Sequence, residues 1–156
     1  MKTKSVVLLG CGLVSVCLLL LVLAGGGFFY YMAQDPPGLL AWVESPDQVA
    51  EGEVFELKVF VVNERKRGSM KITSIDLGES YLAHFTVRET EPRAISSQHV
   101  PIDDSQSFGF ETVISAGKTN VFTFRLRAAD TGLHRGDLDV CEGMRFVTLM
   151  AQTEVR

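Results

Sequence analysis

The sequence predicts an all-β, antiparallel sandwich of about eight strands, preceded by one apolar N-terminal helix. Three observations lead there. From Ser5 to Ala33 the chain carries no Asp, Glu, Lys or Arg. After Asp35-Pro36-Pro37 the pattern changes to short stretches of β-branched and aromatic residues that alternate with period two. Glycine-bearing turn signals separate those stretches, and outside the apolar segment no run of ten residues keeps a helical period. The whole chain has 156 residues, of which 46% are hydrophobic and 22% charged. That length suits one domain, since compact domains usually hold about 100–150 residues. A formal charge of −4 lacks the basic footprint of a nucleic-acid binder.

The N-terminal segment begins with Lys2 and Lys4 and runs through Leu18–Leu23 to the aromatic cluster Phe28-Phe29-Tyr30-Tyr31. A bilayer core about 30 Å thick needs roughly 20 apolar residues in a helix, and this run is longer. Aromatic rings favour the headgroup layer and a short basic flank stays in the cytoplasm. The expected organisation is therefore a cytoplasmic N-terminus at 1–4, a transmembrane anchor at 5–33, a neck at 34–38 and an extracytoplasmic sandwich at 39–156. Pro36 and Pro37 end the helix, because proline lacks the N–H and excludes its predecessor from helical geometry. A competing reading is a secretory signal cut near Ala24, where Val22-Leu23-Ala24 precedes Gly25. The length of the apolar run, which resumes straight after that point, favours the anchor. A lipoprotein signal ending at Cys11 leaves too little apolar sequence after Lys4.

The strands follow in order. Leu39–Glu44 is the first. Val54–Val62 starts with Val54, Glu56 and Lys58 on one side and Phe55, Leu57 and Val59 on the other. Met70–Leu77 alternates with a slip near Thr73-Ser74, and Tyr81–Arg88 comes next. Phe108–Ile114 precedes Val121–Arg127, where Phe122, Phe124 and Leu126 oppose Thr123, Arg125 and Arg127. Leu133–Cys141 and Arg145–Thr153 complete the set, joined by a tight hairpin at Cys141-Glu142-Gly143-Met144. Period two with a single apolar face means half-buried antiparallel strands, as in a sandwich or small barrel. Glu89–Ser107 breaks the rhythm with Pro92, Pro101, Asp103 and Asp104, and is expected to be a disordered or surface arm. If the domain recognises a partner, Pro92, Arg93, Pro101, Asp103 and Asp104 are the first interaction candidates.

Ala50-Glu-Gly-Glu-Val-Phe-Glu-Leu-Lys-Val-Phe-Val-Val-Asn63 resembles the opening of the immunoglobulin-like sandwich modules common on bacterial exported proteins. Ile114-Ser-Ala-Gly-Lys-Thr-Asn-Val-Phe-Thr-Phe-Arg-Leu126 and Asp130-Thr-Gly-Leu133 resemble the later half of such modules. The resemblance covers roughly Pro46 to Arg156. It implies an immunoglobulin-like fold and names no activity, since such sandwiches serve adhesion, scaffolding and docking alike.

Chemistry-bearing residues are sparse. Cys11 and Cys17 lie in the apolar segment and Cys141 stands alone in the outer domain, so no disulfide staples the sandwich. Cys141, on an apolar strand, is expected as a small core residue. A blue-copper site needs a histidine after the late cysteine, and His84, His99 and His134 all precede it. Asp130, Asp137, Asp139 and Glu142 group near one hairpin and are the candidate calcium ligands, against the plainer reading of a solvated strand face. Arg135-Gly136-Asp137 spells an integrin tripeptide but falls inside a strand. Glu64-Arg65-Lys66-Arg67 forms a compact basic turn, suited to anionic headgroups or simply to the polar tip of a hairpin. The chain holds no nucleophile elbow, zinc-protease helix, phosphate loop or Cys-x-x-Cys. The expectation is a non-enzymatic interaction module without cofactor, membrane-anchored through Ser5–Ala33. It would act as an accessory subunit with a protein partner in the same membrane. A ligand- or calcium-binding sandwich, or a released exported domain, is the alternative.

Overall fold

The structure is a computed structural model, describing the backbone of residues 2–156 and side chains from residue 16 onward. The chain divides into two compact units, Met1–Gln34 and Asp35–Arg156. The first is a helix, α1 (Lys2–Met32). Part of the expected membrane span, over 5–15, lies outside the residues whose side chains are described. Among the described residues, no helix is long and apolar enough to cross a membrane. The helix stops before Asp35-Pro36-Pro37, where the proline pair forbids its continuation.

The second unit contains β1 (Leu39–Glu44), β2 (Gln48–Val49), β3 (Val54–Asn63), β4 (Ser69–Gly78), α2 (Glu79–Leu82), β5 (Phe85–Glu91), β6 (Ser96–Val100), β7 (Ser105–Ser115), β8 (Thr119–Ala128), β9 (Gly132–Glu142) and β10 (Arg145–Val155). Two sheets form, in the orders β1-β3-β8-β5 and β2-β10-β9-β4-β7-β6. All ladders are antiparallel except the short β2–β10 pairing. Alternation chooses the inner faces: Phe55, Leu57, Val59 and Val61 of β3 meet Phe122, Phe124 and Leu126 of β8, all buried. Ile72, Ile75 and Leu77 of β4 and Leu138 and Val140 of β9 fill the facing side. Each such side chain contributes about 1.5–3 kcal/mol of transfer free energy on burial. Edge-on ring pairs tie the core together, Phe108 to Phe124 at 5.3 Å between the two sheets and Phe55 to Phe85 at 5.4 Å within the four-stranded one.

Several expectations need correction. The arm expected over Glu89–Ser107 is ordered and contains β6, whose five residues pair with β7. Ser96-Ser-Gln-His-Val100 buries almost nothing, so its register rests on backbone hydrogen bonds and left no apolar pattern to read. The strand expected from Tyr81 starts only at Phe85, because Glu79–Leu82 turns once as α2 and inserts Tyr81 into the core. There the Tyr81 hydroxyl and the Thr153 hydroxyl lie 2.8 Å apart, and Thr153 also meets Ser45 Oγ at 2.8 Å. Gly136 makes room for this plug: a Cβ built there would sit 2.6 Å from Tyr81 Cβ. The slip near Thr73-Ser74 is a bulge, with a register shift between Ile72 and Ser74. The β9–β10 hairpin is as tight as expected, Glu142 pairing Arg145 around Gly143 at φ +64°.

Candidate functional site

The outer face of the four-stranded sheet sorts its side chains into two zones. Register aligns Leu40 with Val62 and Thr119, and Trp42 with Phe60 and Val121. The next rows are Glu44, Lys58 and Thr123, then Glu56 with Arg125. The second zone is an ion chain: Lys58 to Glu56 at 3.1 Å, Arg125 to Glu56 at 3.4 Å and Arg125 to Glu89 at 2.9 Å. The first zone is apolar. Trp42 stacks flat on Phe60 with centroids 4.9 Å apart, and its indole Nε1 donates to Glu44 Oε1 at 3.0 Å. Leu40 remains 45% exposed and Trp42 39%. A hollow of about 430 Å³, lined by Glu56, Lys58, Phe60, Glu91, Val121 and Thr123, continues from the stack. An aromatic centre beside a charged rim is the composition of protein docking surfaces.

This apolar zone begins where the neck enters the sheet. Arg65 fastens the neck, its Nε donating to Pro37 O at 2.9 Å and its Nη1 to Ser69 O at 3.2 Å. The Glu64 N–H donates to Gly38 O at 2.8 Å. Gly38 is required here, with φ +72° and a virtual Cβ only 2.8 Å from Arg65 Cγ. Buried Asn63 holds the same turn together. Its Nδ2 donates to Ile114 O at 2.9 Å and Gly68 O at 3.3 Å, and its Oδ1 accepts from the Arg65 N–H at 3.1 Å. The basic turn is thus partly structural: Arg65 also pairs with Glu142 at 2.5 Å.

The calcium candidates do not converge. Asp130 precedes β9 and Glu142 ends it, so the eleven-residue strand holds them roughly 30 Å apart. Asp130 Oδ2 contacts His84 Nδ1 at 3.2 Å, and Glu142 is committed to Arg65. Asp137 and Asp139 share the outer face of the six-stranded sheet, where the register places Asp139 opposite Asp76. Burial, then the charges of Asp76, Asp137 and Asp103, raise the Asp139 carboxyl above its ordinary range. The Thr148 hydroxyl, donating at 2.6 Å, opposes that shift. Among the described residues no group of three or more His, Cys, Asp or Glu is placed to hold a metal ion. Cys141 is buried but outside the core cluster, on this same outer face. Its Sγ lies 3.5 Å from Asp76 Oδ2, and burial followed by the Asp76 charge pushes the thiol up to about 12. Gly136 of the integrin-like tripeptide lies mid-strand beneath Tyr81, not on a loop tip.

The interaction candidates of the expected arm separate as well. Pro92, after a cis peptide bond, and Arg93 form the β5–β6 turn, whereas Pro101, Asp103 and Asp104 form the β6–β7 turn at the far end of β6. Arg93 and Arg88 rim an open groove of about 700 Å³ between β5 and β6, floored by Val87, Ala94 and Phe108. His84 and His134 stack at 3.9 Å between centroids. His99 stands elsewhere, facing Glu79 at 3.4 Å. The Trp42–Phe60 face escaped the sequence reading, although its signal was present. The parity that puts Glu56 and Lys58 outward also puts Phe60 and Val62 outward.

No family model matches the chain, and no curated protein matches it by sequence. Solved structures do. A cohesin module from a Clostridium perfringens family 33 glycoside hydrolase aligns with a TM-score of 0.52 at 12% identity, covering 76% of this chain and 96% of that one. A CARDB domain from Pyrococcus furiosus aligns with a TM-score of 0.46 at 15% identity, covering 79% and 96%. At 12% identity the likeness to the cohesin module concerns the fold alone, a two-sheet immunoglobulin-like β-sandwich.

Proposed function

We propose that the chain is a non-enzymatic docking module. It is tethered to a membrane by its N-terminal segment, carries the sandwich outside the cytoplasm and serves as an accessory subunit of a membrane or envelope complex. The observation that carries the docking role is the Trp42–Phe60 stack, open to solvent beside the uncharged Leu40–Val62 row and bordered by the charged rows of Lys58 and Glu56. The tether is supported by the uncharged run from Ser5 to Ala33, its basic flank at Lys2 and Lys4 and its aromatic end at Phe28–Tyr31. The neck supports a partner in the same membrane. Only five residues, 34–38, separate the apolar run from the first strand along the sequence, too short a neck for a distant partner.

A photo-crosslinking residue placed at Leu40 in the full chain, in native membranes, tests this reading. One stoichiometric membrane-protein adduct is expected, lost when Trp42→Ala is added and not formed from a crosslinker at Val113 on the other sheet. Equal adducts from both positions, or none from Leu40, would remove the docking role from this face.

A further inference from the structure

The connections between strands divide by charge according to the end of the sandwich they occupy. Three turns meet at the end where the neck enters. Asn63 joins the first two, its N–H donating to Lys118 O at 3.0 Å and its O accepting from the Gly117 N–H at 2.7 Å. The Arg65–Glu142 pair joins the third, the β9–β10 hairpin. Across the neck and these turns (34–38, 64–68, 116–118 and 143–144) Arg65, Lys66, Arg67 and Lys118 stand against Asp35 and Glu64. The opposite end gathers 45–53, 79–84, 101–104 and 129–131. There the Ala128 N–H donates to Glu53 O, the Glu79 N–H to Asp104 O and the Ala129 N–H to His84 O. Those four connections hold Asp47, Glu51, Glu53, Glu79, Asp103, Asp104 and Asp130, and no Lys or Arg.

We propose that the basic pole, formed by the turns at 64–68, 116–118 and 143–144, docks on the anionic lipid headgroups of the bilayer that holds the N-terminal segment. This rests on the tethered reading above and adds a second surface, distinct from the Trp42–Phe60 face, with lipid as its occupant. Charge selects that occupant. Lys66, Arg67 and Lys118 are exposed, and among the described residues no carboxylate pairs with any of them. Each such cation raises affinity for an anionic surface roughly fivefold. The whole chain, at −4, would be repelled by the same surface. Distance decides between the two effects. β3 alone runs ten residues, about 33 Å, between the poles, whereas screening at physiological salt acts over about 8 Å. The seven carboxylates therefore lie several screening lengths from a surface that touches the basic turns. Met144, at the hairpin tip, is 57% exposed, and its unbranched thioether can enter the headgroup layer. The neck leads into this pole and not the acidic one, so the chain itself delivers the cations to the bilayer.

The test uses the full chain with Cys11→Ser and Cys17→Ser, reconstituted in vesicles of phosphatidylcholine alone or mixed with phosphatidylglycerol. Met144→Cys or Ile102→Cys carries a fluorophore, and lipids with a headgroup nitroxide quench whatever lies against the surface. Buried Cys141 reacts too slowly to compete for the label. In the anionic vesicles the Met144 probe is expected to be quenched and the Ile102 probe, beside the acidic turns, is not. The difference is expected to vanish in phosphatidylcholine alone and at high salt. Lys66→Gln, Arg67→Gln and Lys118→Gln together are expected to lower the docked-to-free ratio roughly a hundredfold, with Trp42 fluorescence melting unchanged. A chain that floats with neither kind of vesicle would overturn the tether and this inference together. A floated chain whose Met144 probe is quenched no more than the Ile102 probe, as an acidic protein held at this pole would leave it, would overturn this inference alone. So would equal quenching at Met144 in both lipid compositions, or quenching that survives the triple substitution.

Discussion

Asn63→Ala probes the joint between neck and sandwich. The side chain is fully buried and makes three hydrogen bonds, to Ile114 O, Gly68 O and the Arg65 N–H. Alanine leaves the buried Ile114 carbonyl without this donor, at about 1–3 kcal/mol. The two part-buried partners can turn to water, so each costs about 0.5–1 kcal/mol. The expected loss is about 2–5 kcal/mol, which for a domain of this size lowers the melting midpoint by roughly 10 °C or more. Trp42 is the sole tryptophan and lies in the sandwich, so its fluorescence follows that unit in the full chain without interference from the helix. Lys66→Ala, on the same turn, is the control and should change stability by less than about 0.5 kcal/mol. Equal midpoints for Asn63→Ala and Lys66→Ala would refute the claim that Asn63 organises this turn.

Gly136→Ala places a methyl group 2.6 Å from Tyr81 Cβ and 3.0 Å from Tyr81 N, and should cost about 1–3 kcal/mol in urea unfolding. Asp139 is raised above its unfolded value by burial and neighbouring carboxylates, so its stabilising contribution exists at low pH and is lost as pH rises through the folded value. Asp139→Asn keeps an acceptor for Thr148 and should melt higher than the parent at pH 7, the gap closing near about pH 4. In a chain with Cys11→Ser and Cys17→Ser, maleimide at pH 8 should modify native Cys141 roughly a hundredfold or more slower than urea-unfolded Cys141. The thiol is pushed up to about 12 by burial and the Asp76 charge.

The inner layer of the fold was legible because burial imposes period two. Phe122, Phe124 and Leu126 were assigned to one face from alternation alone, and they are buried against β3. What escaped was whatever does not depend on apolar patterning. β6 is held by its ladder to β7, and its serines, glutamine and histidine carry no inward stripe. α2 forms because Tyr81 finds a hydroxyl partner in Thr153, far along the chain, and because Gly136 leaves room for it. The carboxylates looked like one group because a hairpin brings sequence neighbours together. A long strand instead separates its ends, and Asp130 and Glu142 sit at opposite ends of β9. Trp42 and Phe60 were on the page as residues, but only the β1–β3 register makes them a stacked pair.

The most direct test of a tethered, outward-facing sandwich is cysteine accessibility at Ile102, which is 93% exposed. Ile102→Cys is introduced with Cys11→Ser and Cys17→Ser, and intact cells or spheroplasts are treated with a membrane-impermeant maleimide before alkaline extraction of the membranes. Full labelling before lysis, on a chain that stays in the alkali-washed membrane pellet, is the predicted result. Labelling only after lysis, or release of the chain into the alkaline supernatant, would contradict it.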